Sequence, residues 1–151
     1  MNQTKVENIL LDQLSFDTKG INKLRIYHDE ILLFNKKYNL IAKSTENQVW
    51  DRHILDSAQV VKYLNFSSGE SLADLGSGAG FPGIVLSIYN QNPDFHVKLY
   101  EKSSIKCQFL RKISKKLNIK VEIVEGSVNG KNIVSNTVVC RAFKKLDSIL
   151  N

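Results

Sequence analysis

Residues 74–83 read DLGSGAGFPG, a glycine-rich segment between a strand-like run, Ser71–Leu75, and a helix-like run, Gly83–Tyr89. Glycines let a backbone adopt positive φ and approach a ligand closely. Amide groups at the start of a helix attract electron-rich groups. We therefore expect a strand, loop and helix whose exposed loop amides form a cradle for a nucleotide-like ligand.

Three nucleotide-binding motifs compete for this loop, and their spacing separates them. A P-loop requires Gly-Lys followed by Ser or Thr, whereas Gly83 is followed here by Ile84. Residues 78–83 match the dinucleotide fingerprint G-x-G-x-x-G, but the strand runs into Gly76, two residues too early for that motif. The D-x-G-x-G-x-G pattern anchored at Asp74 fits the strand better, and it is typical of Rossmann-like S-adenosylmethionine-dependent methyltransferases. An NAD-dependent dehydrogenase is the alternative, which tighter binding of NADH than of S-adenosylmethionine would support.

The sequence around the loop alternates between short β-like runs and helical patterns. Strands are predicted at 71–75, 96–100, 120–124 and 137–140, and helices at 83–89, 105–117 and 144–150. This order predicts an α/β fold with parallel strands and helices on its faces. Taken with the loop pattern, it indicates the Rossmann-like sheet of a class I methyltransferase. Glu101 follows the second predicted strand, 25 residues after Gly76, where a carboxylate would accept hydrogen bonds from both hydroxyls of a ribose.

Residues 1–64 carry only helical patterns. We therefore divide the chain into an N-terminal helical region (1–64) and an S-adenosylmethionine-binding Rossmann-like domain (65–151). Apolar residues at spacings of three and four predict one helix around 6–14 and another around 24–34. A third helix is predicted to begin at Thr45, which forms a T-x-x-Q capping box with Gln48. Gly20 and residues 39–44 are expected to separate the three helices.

The composition indicates a folded domain and excludes several classes of protein. Of the 151 residues, 42% are hydrophobic and 9% aromatic, which is enough for a core. No apolar run approaches the ~18 to 20 residues of a membrane span, and we expect no secretory signal. Cys107 and Cys140 lack CxxC spacing, so we expect neither a disulfide nor a metal site. These features favour a cytoplasmic protein without a membrane partner.

Positive charge is concentrated in one part of the chain. The net charge is +6, of which residues 1–64 contribute +1 and residues 65–151 contribute +5. Between positions 98 and 120 there are one acid, Glu101, and eight basic residues: Lys98, Lys102, Lys106, Arg111, Lys112, Lys115, Lys116 and Lys120. Such a positive face attracts the phosphate backbone of a nucleic acid. A merely solvated helix face is the alternative.

Four further segments accompany the glycine loop in a fixed order: Tyr38-Asn39-Leu40, Arg52-His53-Ile54-x-Asp56-Ser57, Lys106-x-x-Phe109-Leu110 and Cys140-Arg141-Ala142. Together with residues 76–83, they make the chain from about Asn35 to Leu146 resemble the bacterial 16S ribosomal RNA guanine-N7 methyltransferase family, once called glucose-inhibited division protein B. The chain departs from the family pattern at residues 127–129, where Arg-x-Glu is usual, and at Thr137, where an acid is usual. Both departures bear on the affinity for the adenine side of the cofactor.

The resemblance implies S-adenosyl-L-methionine as cofactor and 16S rRNA, or a precursor of the small ribosomal subunit, as partner. The family's cofactor contacts fall on Gly76, Phe81, Val128, Asn129 and Arg141, with Glu101 as ribose acceptor, and the loop pattern adds Asp74 and Gly78. Guanine N7 has no proton to remove, so no acid or base is assigned, and the groups expected to position cofactor and RNA are Asn39, His53 and Arg141. The expected RNA contacts are Arg52, Lys106, Arg111, Lys112, Lys115 and Lys116.

The resemblance also implies C-terminal strands beyond those found in this sequence. We therefore expect the strand at 137–140 to lie beside the first strand with an open outer edge, where Val138 and Val139 are exposed. A homodimer that covers this edge is one expected outcome, and a marginally stable monomer with weak cofactor affinity is another. A shortened, catalytically impaired homologue that only binds cofactor or RNA is the alternative function.

Overall fold

A computed structural model describes residues 1–129 and 132–141 of the chain. The helices are α1 (Gln3–Leu14), α2 (Thr18–Asn35), α3 (Asp56–Ala58), α4 (Gly83–Tyr89) and α5 (Ser104–Lys116). The strands are β1 (Ser71–Leu75), β2 (His96–Glu101), β3 (Glu122–Glu125) and β4 (Thr137–Cys140). The predicted helix at 144–150, together with Ala142 and Leu146, lies outside the described residues. None of the helices in the described ranges is long and apolar enough to cross a membrane.

The four strands form one parallel sheet in the order β3-β2-β1-β4. The predicted α/β architecture is confirmed, and β1, α4 and β4 have the predicted bounds. Two strands differ slightly, since β2 extends to Glu101 and β3 begins at Glu122 rather than at residue 120. β4 lies beside β1 as expected, with Asp74 in register with Val139. Because all four strands run the same way, their carboxyl ends meet at one edge of the sheet, where ligands of such folds bind.

Side-chain caps fix the starts of the first two helices. Asn2 Oδ1 accepts a hydrogen bond from the Lys5 amide at 2.9 Å, and Asp17 Oδ1 accepts one from the Gly20 amide at 2.7 Å. Gly20 therefore lies in the first turn of α2, and the expectation that it separates two helices is wrong. The break falls instead at Ser15, whose φ of 60° ends α1.

The third predicted helix is irregular. It consists of a 3-10 helix over Lys43–Gln48, a π-helix over Val49–Leu55, the short α3 and a second 3-10 helix over Gln59–Tyr63. The predicted capping box is wrong, because the Thr45 hydroxyl donates to the Ala42 carbonyl at 2.8 Å and contacts the His53 ring. The helical segment consequently begins two residues earlier than expected, at Lys43.

One hydrophobic core joins the N-terminal helices to the first face of the sheet. It contains fully buried side chains from both regions, such as Leu24 of α2, Ile54 of the π-helix, and Leu72 and Leu99 of the sheet. Burying a side chain of this size contributes roughly 1.5 to 3 kcal/mol. The N-terminal helices are thereby held against the elements that carry the glycine loop.

The second face of the sheet is covered less completely. Its buried cluster comprises Ala73, Leu75 and Tyr100, against which Val124, Val128 and Ile133 pack. In the described part of the chain β4 has no strand on its outer side, and Val138 is 47% exposed. Val139, by contrast, packs against the main core, so the expectation that it is exposed is wrong.

Candidate active site

The glycine loop lies at the carboxyl edge of the sheet, between β1 and α4. Gly78 has a φ of +58°, and a Cβ there would meet only the Gly76 carbonyl oxygen, at 3.9 Å. Gly80 has a φ of +102°, and a Cβ there would collide with the Ile84 side chain and lie 2.9 Å from the Tyr27 hydroxyl oxygen. The loop is thus packed tightly against the protein at Gly80 and leaves space for a ligand at Gly78.

Almost all of the loop amides donate hydrogen bonds within the protein. Their acceptors are the Tyr100 carbonyl for Gly76 and Ser77, the Glu101 carboxylate for Gly78, the Ser77 carbonyl for Gly80 and Phe81, and the Asp74 carboxylate for Gly83. Apart from proline, Ala79 is the one loop residue whose amide has no acceptor among the described residues. The expected cradle of exposed amides is therefore wrong. The loop offers no row of free N–H groups to a pyrophosphate.

Asp74 lies beneath the loop and is fully buried. Its Oδ2 accepts a hydrogen bond from the Gly83 amide at 2.9 Å, which ties the start of α4 to β1. Burial raises the pKa of Asp74 to about 7, although the bond from Gly83 acts in the opposite direction. Its Oδ1 is buried without a hydrogen-bond partner among the described residues and retains the capacity to accept one.

Glu101 ends β2 with its side chain largely buried beside the loop. Its Oε2 accepts from the Gly78 amide at 2.7 Å, and its Oε1 accepts from the Ser103 amide at 3.0 Å. A carboxylate has about four acceptor positions, so about two remain for further donors. This arrangement is compatible with the expected role of Glu101 as acceptor for ribose hydroxyls.

Arg141 and His53 are brought into contact although they are 88 positions apart. Arg141 Nη2 donates to His53 Nδ1, and Nη1 donates to the Arg52 carbonyl at 3.1 Å and, more distantly, to Asp56 Oδ2 at 3.4 Å. The guanidinium carbon lies 5.3 Å from the centre of the Phe81 ring, and the His53 ring stacks on Phe81 with centroids 5.1 Å apart. Four predicted site residues therefore meet beside the glycine loop: Arg52, through its backbone carbonyl, His53, Phe81 and Arg141.

The contacts of His53 define its protonation. A guanidinium has no acceptor atom, so His53 Nδ1 must present a lone pair to Arg141 and the ring proton must lie on Nε2. The Nε2 atom is 2.9 Å from Thr45 Oγ1, to which it donates. Burial, followed by the positive charge of Arg141, lowers the pKa of His53 to about 4. The imidazole is therefore neutral near pH 7.

Three other predicted site residues lie apart from this cluster. Asn39 is exposed in the loop after α2, and its side chain makes no hydrogen bond to any residue in the described ranges. Val128 packs against the second face of the sheet, whereas Asn129 is exposed. Val128 and Asn129 both follow β3, so they lie on the same carboxyl edge as Glu101.

Three of the six predicted RNA-binding cations form ion pairs within the protein. Arg111 pairs with Glu125 at 2.9 Å, and Lys112 and Lys116 both pair with Glu30 of α2, Lys112 at 3.3 Å. These carboxylates neutralise part of the positive face that the sequence predicts. The other three cations make no ion pair with a residue that the structure describes: Arg52, Lys106 and Lys115.

Three residues that support the site were not identified from the sequence. Tyr27 is fully buried in α2 and donates to the Ala79 carbonyl at 2.6 Å, which holds the loop from below. Thr45 accepts from His53, and Glu30 joins α2 to α5. Tyr27 and Glu30 belong to no recognisable motif, and the capping-box motif of Thr45 does not predict its contact with His53. Their roles depend on the packing of elements that are distant in sequence.

Comparisons with known proteins agree with these features. The family model described as rRNA small subunit methyltransferase G (GidB) matches residues 20–151. The ribosomal RNA small subunit methyltransferase G of Rickettsia bellii is 40% identical over 131 residues, which cover 87% of this chain and 66% of that protein. The protein of the same name from Rickettsia typhi is 43% identical over the same shares. This chain therefore spans 66% of the length of the curated relatives that it matches.

A solved structure of a protein-L-isoaspartate O-methyltransferase resembles this chain with a TM-score of 0.59 at 17% identity. The match covers 92% of this chain and 47% of the other. At this identity the likeness concerns the fold alone. It confirms the class I methyltransferase fold predicted from the loop and the order of elements.

Proposed function

Because this chain belongs to the family of rRNA small subunit methyltransferase G, we propose that it transfers a methyl group from S-adenosylmethionine to N7 of a guanine in 16S ribosomal RNA. The main structural support is one arrangement at the carboxyl edge of the sheet. There, the open side of Gly78 adjoins the Glu101 carboxylate, and Arg141 and His53 contact Phe81. The substrate is free 16S rRNA or a precursor of the small ribosomal subunit, and the reaction is proposed to occur in the cytoplasm.

The chemistry of the site suits S-adenosylmethionine. This cofactor contains a ribose, a carboxylate and a sulfonium but no pyrophosphate, so it does not require the free loop amides that a dinucleotide would use. Glu101 has acceptor capacity for the ribose hydroxyls, and Gly76, Gly78 and Phe81 would line the loop side. Val128 and Asn129 would lie on the adenine side. When bound, the cofactor supplies an electrophilic methyl group on its sulfonium.

Positioning is the protein's proposed contribution to catalysis. Guanine N7 reacts through a lone pair and releases no proton, so no side chain is required as a base. In-line transfer requires the reacting atoms to be aligned ~3 to 3.5 Å apart. Arg141, which donates to His53 and to the Arg52 carbonyl, would hold the cofactor or the target base in that alignment. Neutral His53 and exposed Asn39 would assist it.

The proposed RNA contacts differ in the charge that each cation has available. Arg52, Lys106 and Lys115 are proposed as the stronger phosphate contacts. Arg111, Lys112 and Lys116 share their charge with Glu125 and Glu30, and we propose that they contribute less. A homodimer through the outer edge of β4 is also proposed, and its support is that β4 has no strand on its outer side among the described residues. Light scattering tests it, because a monomer mass would refute it.

A methyl-transfer assay with labelled S-adenosylmethionine and small-subunit RNA tests the function. Label in 16S rRNA that is recovered as N7-methylguanine is the expected result, and Gly78→Asp should abolish it. Cofactor binding without transfer would favour the non-catalytic homologue, and preferential binding of NADH would favour the dehydrogenase.

A further inference from the structure

A chain of hydrogen bonds leads from the backbone near the start of the irregular helix to Arg141. The Thr45 hydroxyl donates to the Ala42 carbonyl at 2.8 Å. The same oxygen accepts from His53 Nε2 at 2.9 Å, and His53 Nδ1 accepts from Arg141 Nη2. The donor and the acceptor of each hydrogen bond in this series are fixed, because the guanidinium can only donate and the Ala42 carbonyl can only accept.

We propose that Thr45 is a positioning residue of the methyl-transfer site: its hydroxyl fixes His53 in the Nε2–H tautomer, and that tautomer holds Arg141 against Phe81. The catalytic part of this inference rests on the proposed function. The structural part, which concerns the tautomer of His53 and the position of Arg141, does not. Thr45 acts through His53 and is not expected to touch the cofactor or the RNA.

The tautomer matters because it decides whether His53 attracts or repels the guanidinium. With the proton on Nδ1, an N–H group of the imidazole would face an N–H group of Arg141, and the two donors could not bond. Thr45 supplies the acceptor that keeps the proton on Nε2 instead. Neutral histidine also suits this role, because a protonated ring would present a second cation to Arg141.

The remaining contacts of Arg141 are too weak to replace this bond. The carboxylate of Asp56 is 58% exposed and 3.4 Å away, so its attraction is screened by water. The Arg52 carbonyl binds only Nη1. The cation–π contact with Phe81 constrains the plane of the guanidinium but not its hydrogen-bonding direction. His53 is thus the one contact that orients Nη2 among the described residues.

Two variants of Thr45 and one control variant distinguish the effect of its hydroxyl group from the effect of its side-chain volume. Thr45→Val keeps the volume and loses the hydroxyl, Thr45→Ser keeps the hydroxyl, and Thr4→Val makes the same change on the exposed surface of α1 as a control. Nitrogen-15 NMR of the His53 ring reports which nitrogen carries the proton. Circular dichroism and urea unfolding confirm that each variant is folded.

We expect the Nε2–H tautomer in the wild type, in Thr45→Ser and in Thr4→Val, and a mixture or the Nδ1–H form in Thr45→Val. Loss of one hydrogen bond of ordinary strength corresponds to a roughly 2- to 10-fold fall in kcat for Thr45→Val. Thr45→Ser should remain within about 2-fold of the wild type.

Two results would overturn the inference. One is an Nδ1–H tautomer in the wild-type protein, a result that needs no variant. The other is a Thr45→Val protein with both the wild-type tautomer and the wild-type Arg141 resonances. If the wild type transfers no methyl group while the tautomers follow the expected pattern, the proposed function fails and the positioning of Arg141 by Thr45 stands.

Discussion

Gly80 is a position where the absence of a side chain is required by packing as well as by backbone conformation. A Cβ there would meet Ile84 and the Tyr27 hydroxyl, whereas at Gly69, with φ of +81°, nothing lies within 4 Å. Both substitutions to Ala incur the ~1 to 2 kcal/mol cost of the left-handed backbone. Gly80→Ala should lose a further ~1 to 3 kcal/mol through overpacking. Urea unfolding of both variants measures this difference, and equal losses would contradict the tight packing of the loop.

The raised pKa of Asp74 predicts that the stability of the protein depends on pH. Burial raises its pKa from 3.8 to about 7 in the folded protein, so between these values the unfolded chain has lost a proton that the folded chain retains. The contribution of Asp74 to stability is therefore complete at pH values below its pKa in the unfolded chain. It is lost as the pH rises through its pKa in the folded protein. Asp74→Asn keeps an oxygen that can accept from Gly83 but does not titrate.

The stability of the wild type relative to Asp74→Asn should accordingly fall between about pH 4 and pH 7. His53, whose pKa is lowered, has the opposite slope, but it is present in both proteins and cancels in the difference. Urea unfolding at several pH values provides the measurement. A difference that does not change with pH would show that Asp74 is ionised in the folded protein throughout this range.

The contact between α2 and α5 determines how much charge the α5 helix can offer to RNA. Lys112 and Lys116 form ion pairs with Glu30, whereas Lys115 makes no ion pair with any residue that the structure describes. If Lys115 contacts a phosphate, Lys115→Ala should make the slope of log K against log salt shallower by ~0.7 to 0.9. Lys116→Ala should change it less, and Lys5→Ala on α1 should not change it. An unchanged slope for Lys115→Ala would indicate a merely solvated face.

Elements with simple periodicity could be predicted from the sequence, and the irregular segment could not. The bounds of β1, α4 and β4 follow from short apolar runs between turn residues. The capping-box pattern at Thr45 and Gln48 predicts a regular helix, but Thr45 instead bonds to Ala42 and His53. That competition depends on a tertiary partner of Thr45, which local pattern does not reveal.

At the level of the whole molecule, the sequence predicts which edge of the sheet carries the site but not how its residues meet. The parallel order of strands brings Asp74, Glu101 and Arg141 to one edge, as expected from topology. The contact of Arg141 with His53 requires the N-terminal helices to pack against that edge, and they do so through the shared core. The ion pairs of Glu30 follow from the same packing.

Binding of S-adenosylmethionine at the glycine loop is the central claim, and calorimetry tests it most directly. The wild type should bind S-adenosylmethionine more tightly than NADH. Gly78→Asp should lose most of this affinity, because its side chain would occupy the open space beside Glu101. Gly69→Asp introduces the same side chain at another open, positive-φ glycine and should bind like the wild type. Equal affinity of Gly78→Asp and the wild type, or tighter binding of NADH than of S-adenosylmethionine, would contradict the assignment of this loop.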